Sequence, residues 1–426
     1  MPFVPGFLPS QNAPLFANDG TSGPWPPGTS LSVSIPGLPT VNIDATHFGL
    51  CGGMSFLTRD IFESGTPQLR NTACTKIPLA LADLLVNRLV QSFDGPATVA
   101  RWLTLTALPD HDTTFWGAGV FHQTVAACQP GPGSIRADVD GGMLSPIGVI
   151  LAGPSWWPGD VFSNHVELVY GYDLVGTQLT LHVYDCNYPG RDDITISLDI
   201  SSTTPAKVIT TNGTYDPGRR GQIRGFFRLP YTHADPTPAY IDDAAVYARW
   251  DPGQVTTGST ETATVVAVNM GSTTWTQAAS YRLGSQAPQD NLTWGTARVD
   301  LPAASVDPQH PVLFSFPVTA PTSQGQFAFS WQMVRDPEKF FGSALWPPET
   351  ITVASPGAIV VPDVVGDSAA GAEQTIVDAG LKFVVHLMGP GPDPGTVAKQ
   401  APAGGTIATR GAIVAIWVEG GTGPGS

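Results

Sequence analysis

Leu50-Cys51-Gly52-Gly53-Met54-Ser55-Phe56, running on to Phe62, is the stretch from which the rest of the chain is read. A cysteine stands behind a glycine-containing turn and directly ahead of apolar residues at helical spacing, Met54, Leu57, Ile61 and Phe62. Its sulfur is therefore expected at a helix N-terminus, where unpaired backbone N–H groups and the positive end of the macrodipole favour a thiolate. Gly52 and Gly53 leave the first turn bare, so a substrate backbone could come close, and both are expected to line a cleft. The competing reading is a structural cysteine packed under the helix. Residues far downstream decide between the two.

Ser163-Asn164-His165-Val166-Glu167-Leu168-Val169-Tyr170-Gly171-Tyr172 belongs to an expected strand over residues 161–172. The next expected strand, 178–185, ends in Val183-Tyr184-Asp185-Cys186-Asn187. Such a hairpin can set a carboxylate or amide beside an imidazole. A cysteine nucleophile needs a base to take its proton, and the base needs a third group to fix its tautomer. Cys51, His165 and Asp185 supply the three in that order. Asp185 and Asn187 have the same parity on an extended strand, so Asn187 is the alternative third residue; the Pro189-Gly190 turn favours Asp185. Helices are also expected over 77–93 and 97–105, and strands over 193–200 and 221–228. Residues 1–40 read as an irregular arm, and 106–160 as loops in which specificity would lie. Helices first and antiparallel strands afterwards is the α+β order.

The segments 51–56 and 164–172 together resemble the nucleophile helix and histidine strand of papain-like cysteine peptidases, nearest to the bacterial bacteriocin-leader-peptidase-like branch with its Tyr-Asp third position. The resemblance covers roughly residues 40–230. It implies Cys51 as nucleophile, His165 as general base and acid, and Asp185 as the orienting residue. It also implies a Gln six residues before the nucleophile as oxyanion donor, but Ala45 stands there. The Cys51 N–H would give one donor, and Asn42, Thr46 and His47 are the candidates for the second. Trp156 and Trp157 would wall a substrate cleft or fill the core. Asp110-His111-Asp112 has ligand types for a divalent ion but no fourth partner, and reads as a solvated loop.

Composition narrows the classes. Among 426 residues, Gly 47, Pro 41 and only 13% charged residues suit short strands joined by many turns, and the length calls for several domains. A formal charge of −15 with 20 scattered basic residues argues against a nucleic-acid partner. No apolar run reaches the ~20 residues of a membrane span. The N-terminus, Met1-Pro2-Phe3-Val4-Pro5, does not read as a signal peptide. Of the four cysteines, three remain beside Cys51, enough for at most one disulfide, and no pair has zinc spacing. No metal or cofactor is expected.

Two accessory domains follow. Residues 238–355 alternate apolar positions with turn signals, as in a β-sandwich of about seven strands. The spacing of Trp275, Trp294 and Trp331 resembles the four-tryptophan immunoglobulin-like domain, with the tryptophans in the core. Val361-Pro362-Asp363-Val364-Val365-Gly366, a helical stretch over 369–380 and a last strand over 412–418 resemble a PASTA domain over 358–420, a small α+β module associated with peptidoglycan; 421–426 is a flexible tail.

The expectation is a multi-domain protein: an α+β papain-like domain over 1–237, an all-β immunoglobulin-like sandwich and a small α+β PASTA domain. Its expected function is a bacterial cysteine hydrolase cutting a peptide or isopeptide bond in a peptide or protein substrate. An extracytoplasmic or cell-surface place, with peptidoglycan as partner, fits the last domain, and a cytoplasmic place stays open. The alternative is a non-catalytic surface or assembly protein that keeps the papain-like fold as scaffold.

Overall fold

The computed structural model describes residues 2–18, 25–26, 29–33, 41–44, 49–93, 95–151, 153, 163–213, 223–337, 339–345 and 349–420, with backbone only at 30–33, 41–44 and 390. The chain forms two compact units. The first is Met1–Asp243 with Asn269–Trp275 and Ser305–His310; the second is Ala244–Val268, Thr276–Ala304 and Pro311–Ser426.

In the first unit the described elements run α1 (Pro9–Asn12), β1 (Ser30–Val33), β2 (Val41–Asp44), α2 (Cys51–Ser64), α3 (Leu79–Gln91), α4 (Gly95–Ala107), α5 (Val120–Ala127), α6 (Ile135–Asp140), β3 (Ser145–Ile150), β4 (His165–Val175), β5 (Gln178–Tyr184), β6 (Thr195–Asp199), β7 (Thr210–Thr211) and β8 (Gly225–Arg228). Strands β3 to β8 make one antiparallel sheet in the order β7-β6-β5-β4-β3-β8. Helices cover both faces. Val166, Leu168 and Tyr170 of β4 join the core of α2 and α3, whereas Val169 with Ile147 and Val149 joins that of α5 and α6. Because both faces are covered, the first eight residues of β4 are buried without a break.

Helix α2 is buried from Cys51 to Ile61 and ends at Gly65, whose φ of 62° is the left-handed cap a glycine adopts without strain. Gly52 and Gly53, expected to line a cleft, instead carry the packing of α3. A Cβ on Gly53 would lie 2.0 Å from the Leu85 carbonyl oxygen, and one on Gly52 2.6 Å from Ser92 Oγ. The missing side chains admit a neighbouring helix rather than a substrate.

Residues 106–160, expected as loops, contain α5, α6 and β3. Helix α5 has only eight residues, too short for a clear period, and Pro146 and Gly148 break the strand signature of β3. Gly148 is needed there because a Cβ would meet the Trp102 ring at 2.5 Å. The N-terminal region adds order of its own: β1 and β2 pair antiparallel, and Val4 N–H donates to the Tyr170 carbonyl at 2.8 Å, where β4 has run past its last pairing with β3.

The unit reaches Asp243, beyond the expected boundary at 237. The segment after β8 is anchored to the unit: Ala239 is fully buried and Tyr231 Oη donates to Asp60 Oδ1 at 2.6 Å. Arg88 grips the same carboxylate, Nε to Oδ2 at 2.8 Å and Nη2 to Oδ1 at 2.9 Å. Segments 269–275 and 305–310 are fixed to 70–73 by Asn71 Nδ2 donating to the Gly271 carbonyl, by Gln309, and by the Arg70–Asp307 pair at 2.9 Å.

Among the described residues twelve strands run from Ala244 to Ala354 where about seven were expected, several of only two or three residues; Ser305–Val306, Trp275 and Asn269 belong to the first unit, and the rest form the first part of the second. It is a β-sandwich: Pro311–Thr319 alternates buried and exposed residues along its length and pairs with Thr260–Asn269. The Phe316 and Trp331 rings meet at 4.8 Å, and Trp294 Nε1 donates to the Ala328 carbonyl at 2.8 Å. Trp294 and Trp331 are core residues, as is Trp275 in the first unit. The C-terminal module lays helix Ala369–Asp378, capped by Ser368, over strands Lys382–Pro390, Ile413–Gly420 and Val397–Ala401. Its buried Gln400 accepts from Val364 N and donates to the carbonyls of Pro362 and Pro402.

The Gly53 contact gives a stability prediction. Gly53→Ala should destabilise the protein by about 1–3 kcal/mol, since backbone of α3 must move. Thermal unfolding measures it, and an unchanged midpoint would return Gly53 to the cleft role.

Candidate functional site

Cys51 is the first residue of α2, is 8% exposed, and follows an N-cap, Leu50, that offers no side-chain cap to the first amides. His165 opens β4 and is positioned by its neighbour: Asn164 Oδ1 accepts from Leu151 N at 2.9 Å while its Nδ2 donates to Thr106 Oγ1 at 2.9 Å. Asp185 follows the last residue of β5. Its Oδ1 lies 2.8 Å from His165 Nε2 and also accepts the Asn187 backbone N–H at 2.9 Å.

The Cys51 sulfur is near enough to the imidazole to act on its charge. With Nε2 on Asp185, Nδ1 is the nitrogen left for the sulfur. Burial alone would push His165 down, but the Asp185 carboxylate and then Cys51 outweigh it and hold the imidazole well above its ordinary 6.5. The structure thus brings together Cys51, His165 and Asp185, from a helix start, a strand start and a strand end. Asn187 contributes its backbone N–H to Asp185, and its side-chain oxygen accepts from Asn18 Nδ2 at 3.4 Å.

Two residues beside the site carry no sequence signal of their own. Cys186 is fully buried, and burial, then the charges of Cys51, Asp185 and Glu167, push its thiol well up. Ligand-type atoms of His165, Asp185 and Cys186 lie within 4.8 Å of one another, a cluster that spacing could not show. In it His165 Nε2 and Asp185 Oδ1 are already engaged with each other. Asn18, from the arm, touches both sides of the site: its Oδ1 accepts from Leu50 N at 2.5 Å and its N–H donates to the Cys186 carbonyl at 2.9 Å.

The remaining candidates stand apart. Thr46, His47, Trp156 and Trp157 lie outside the described residues, as does the side chain of Asn42 on β2. Asp110 pairs with Arg224 at 2.6 Å. Asp112 accepts from Gly119 N and Thr204 Oγ1 and meets His122 Nδ1 at 3.0 Å; the His122 bond first, then Thr204 and Gly119, pull its carboxyl down to about 2. The triplet lies in a solvent-facing loop, as expected, with Asp110 and His111 exposed, and the bonds of Asp112 clamp that loop. All four cysteines are free and buried, so the one disulfide allowed by the count does not form. A cleft of 390 Å³ lined by Phe56, Arg88 and His233 includes none of the three site residues.

Residues 359–420 match the family model of the PASTA domain, and this part of the chain is a PASTA domain. No curated protein sequence matches the chain. Among solved structures it is similar to the solution structure of a CARDB domain from Pyrococcus furiosus, at 13% identity over 26% of this chain and 94% of that one, with a TM-score of 0.20. Among the described residues no helix is long and apolar enough to cross a membrane.

The raised His165 value has a checkable sign. The folded chain holds this proton more tightly than the unfolded one, so the stability it contributes is full below about pH 6.5 and is lost as pH rises through the folded value. In an NMR titration the His165 ring should titrate well above 6.5, and Asp185→Asn should bring it down. Titration of the wild-type ring at or below 6.5 would contradict the charge arrangement.

Proposed function

We propose that the first unit is a cysteine hydrolase of papain-like type, acting on a peptide or isopeptide bond through Cys51, His165 and Asp185. The observation that carries the reading is the buried imidazole of His165, hydrogen-bonded to the Asp185 carboxylate and held well above its ordinary value by Asp185 and then by the nearby Cys51. That arrangement favours the proton on His165, the partner a cysteine nucleophile needs when its sulfur attacks a carbonyl carbon. A carbon–sulfur bond forms, the leaving amine departs with the His165 proton, and a thioester remains. Water then attacks the thioester with His165 as base, freeing the acid and the Cys51 sulfur. Asp185 holds the ring in the required tautomer and stabilises the imidazolium.

Trp294 and Trp331 support a four-tryptophan immunoglobulin-like identity for the sandwich, as a positioning module. The PASTA domain supports an extracytoplasmic place at peptidoglycan, since such domains commonly recognise it. A single copy binds weakly, and multivalent attachment would need further contacts.

Iodoacetamide labelling tests the site. At pH 6 to 7 Cys51 should be the labelled cysteine in the native protein. His165→Ala should slow labelling by about 10²-fold. Asp185→Ala should slow it by roughly tenfold or more, the effect of about one unit in the imidazole value, while Asn187→Ala has a small effect. Labelling indifferent to His165 would leave the papain-like unit as a scaffold.

Peptidoglycan attachment is tested separately. The full chain should sediment with purified sacculi, and deleting 358–420 should reduce the sedimented fraction. Equal sedimentation of both chains would rule the PASTA domain out as the attachment.

A further inference from the structure

The proposed mechanism needs two donors for the oxygen that becomes negative when Cys51 attacks a carbonyl, and the Cys51 N–H is only one. We propose that Asn18, contributed by the N-terminal arm, is the second: its Nδ2 donates to that oxygen. This rests on the reading of Cys51 as nucleophile.

Three hydrogen bonds fix Asn18, one to the turn that carries Cys51 and two to the residues that follow Asp185. Its backbone N–H donates to the Cys186 carbonyl at 2.9 Å, its Oδ1 accepts the Leu50 N–H at 2.5 Å, and its Nδ2 reaches Asn187 Oδ1 at 3.4 Å. The Leu50 N–H can only donate, so the atom facing it must be Oδ1, and the NH₂ group is aimed the other way. Leu50 immediately precedes Cys51, and its own carbonyl accepts Met54 N at 2.9 Å, the first turn of α2. The amide is therefore tied one peptide away from the nucleophile's N–H.

Gly49 makes room for it. A Cβ there would fall 2.3 Å from Asn18 Nδ2 and 2.9 Å from its Cγ, so any other residue would push the amide out of the turn. The bond to Asn187 is long, and an NH₂ group has two hydrogens, which leaves donor capacity for a ligand. Asn18 is half-buried, as a group that meets both the site and a substrate must be. No local motif around Cys51 contains it, because the arm brings it in from far along the chain.

In the step, the C–S bond forms, the carbonyl π pair moves to oxygen, and Asn18 Nδ2 with the Cys51 N–H holds that charge. The pair then returns, and the leaving group is expelled. Removing one such donor typically costs about 10²–10³ in rate.

The test compares two reactions of Cys51 in the full chain. Acylation by p-nitrophenyl acetate, read as the burst of p-nitrophenolate, passes through an oxyanion; alkylation by iodoacetamide does not. Asn18→Ala, and Asn18→Asp, which keeps the acceptor for Leu50 N–H but loses the donor, should both slow acylation by about 10²-fold or more while alkylation changes less than about threefold. Loss of both reactions in parallel would make Asn18 a positioning residue and overturn the proposal, as would acylation undiminished in either variant. A wild-type chain with no burst that depends on Cys51 would overturn the nucleophile reading and this proposal together. A normal wild-type burst with indifferent Asn18 variants overturns Asn18 alone.

Discussion

The approach of α3 to Gly53 is the constraint on which the first unit depends. With the Leu85 carbonyl 2.0 Å from where a Cβ would stand, α3 lies against the bare turn of α2, and α2 is pressed between α3 and the sheet. Ser55 Oγ then reaches the Val166 carbonyl at 3.2 Å, which ties the second turn of α2 to the residue after His165. The start of the helix and the start of β4 are thereby fixed to each other. The relation between Cys51 and His165 follows from backbone packing at two glycines, not from anything the two side chains do for themselves.

The Asp60–Arg88–Tyr231 network makes the same arrangement specific. Burial pushes the Asp60 carboxyl up even though Tyr231, the Ala234 N–H and Arg88 all favour its charged form. A buried pair whose desolvation outweighs its partners contributes little net stability, while losing one partner leaves the other stranded. What it supplies is register. One carboxylate on α2 receives bonds from α3 and from the segment after β8, so a shift of any of the three breaks several bonds at once.

How far the sequence carried depended on how local each signal was. The helical spacing after Cys51 and the apolar run after His165 were legible because α2 and β4 are long and buried, and the parity argument for Asp185 agrees with its place on His165 Nε2. The PASTA opening was legible as a motif. Gly52 and Gly53 were misread because a missing side chain admits a helix as well as a substrate, and only the position of α3 tells which. Helices α5 and α6 were too short to show a period. Asn18 left no trace, since its meaning comes from contacts with Leu50 and Cys186 that no spacing rule connects.

Cys51 and Cys186 stand in different surroundings within one site. Cys186 is fully enclosed, next to Asp185 in sequence, and faces the negative charges of Asp185, Glu167 and Cys51; every one of these opposes ionisation, as does burial. Cys51 keeps 8% exposure, opens α2, and lies by an imidazole whose proton Asp185 and Cys51 hold well above the ordinary range. The same carboxylate acts in opposite senses on the two sulfurs: beside Cys186 it is a like charge, and across His165 it stabilises the imidazolium that Cys51 faces. The exposure of Cys51 and the like charges that surround the fully buried Cys186 are what separate a proposed nucleophile from a structural thiol a few ångströms from the same ring.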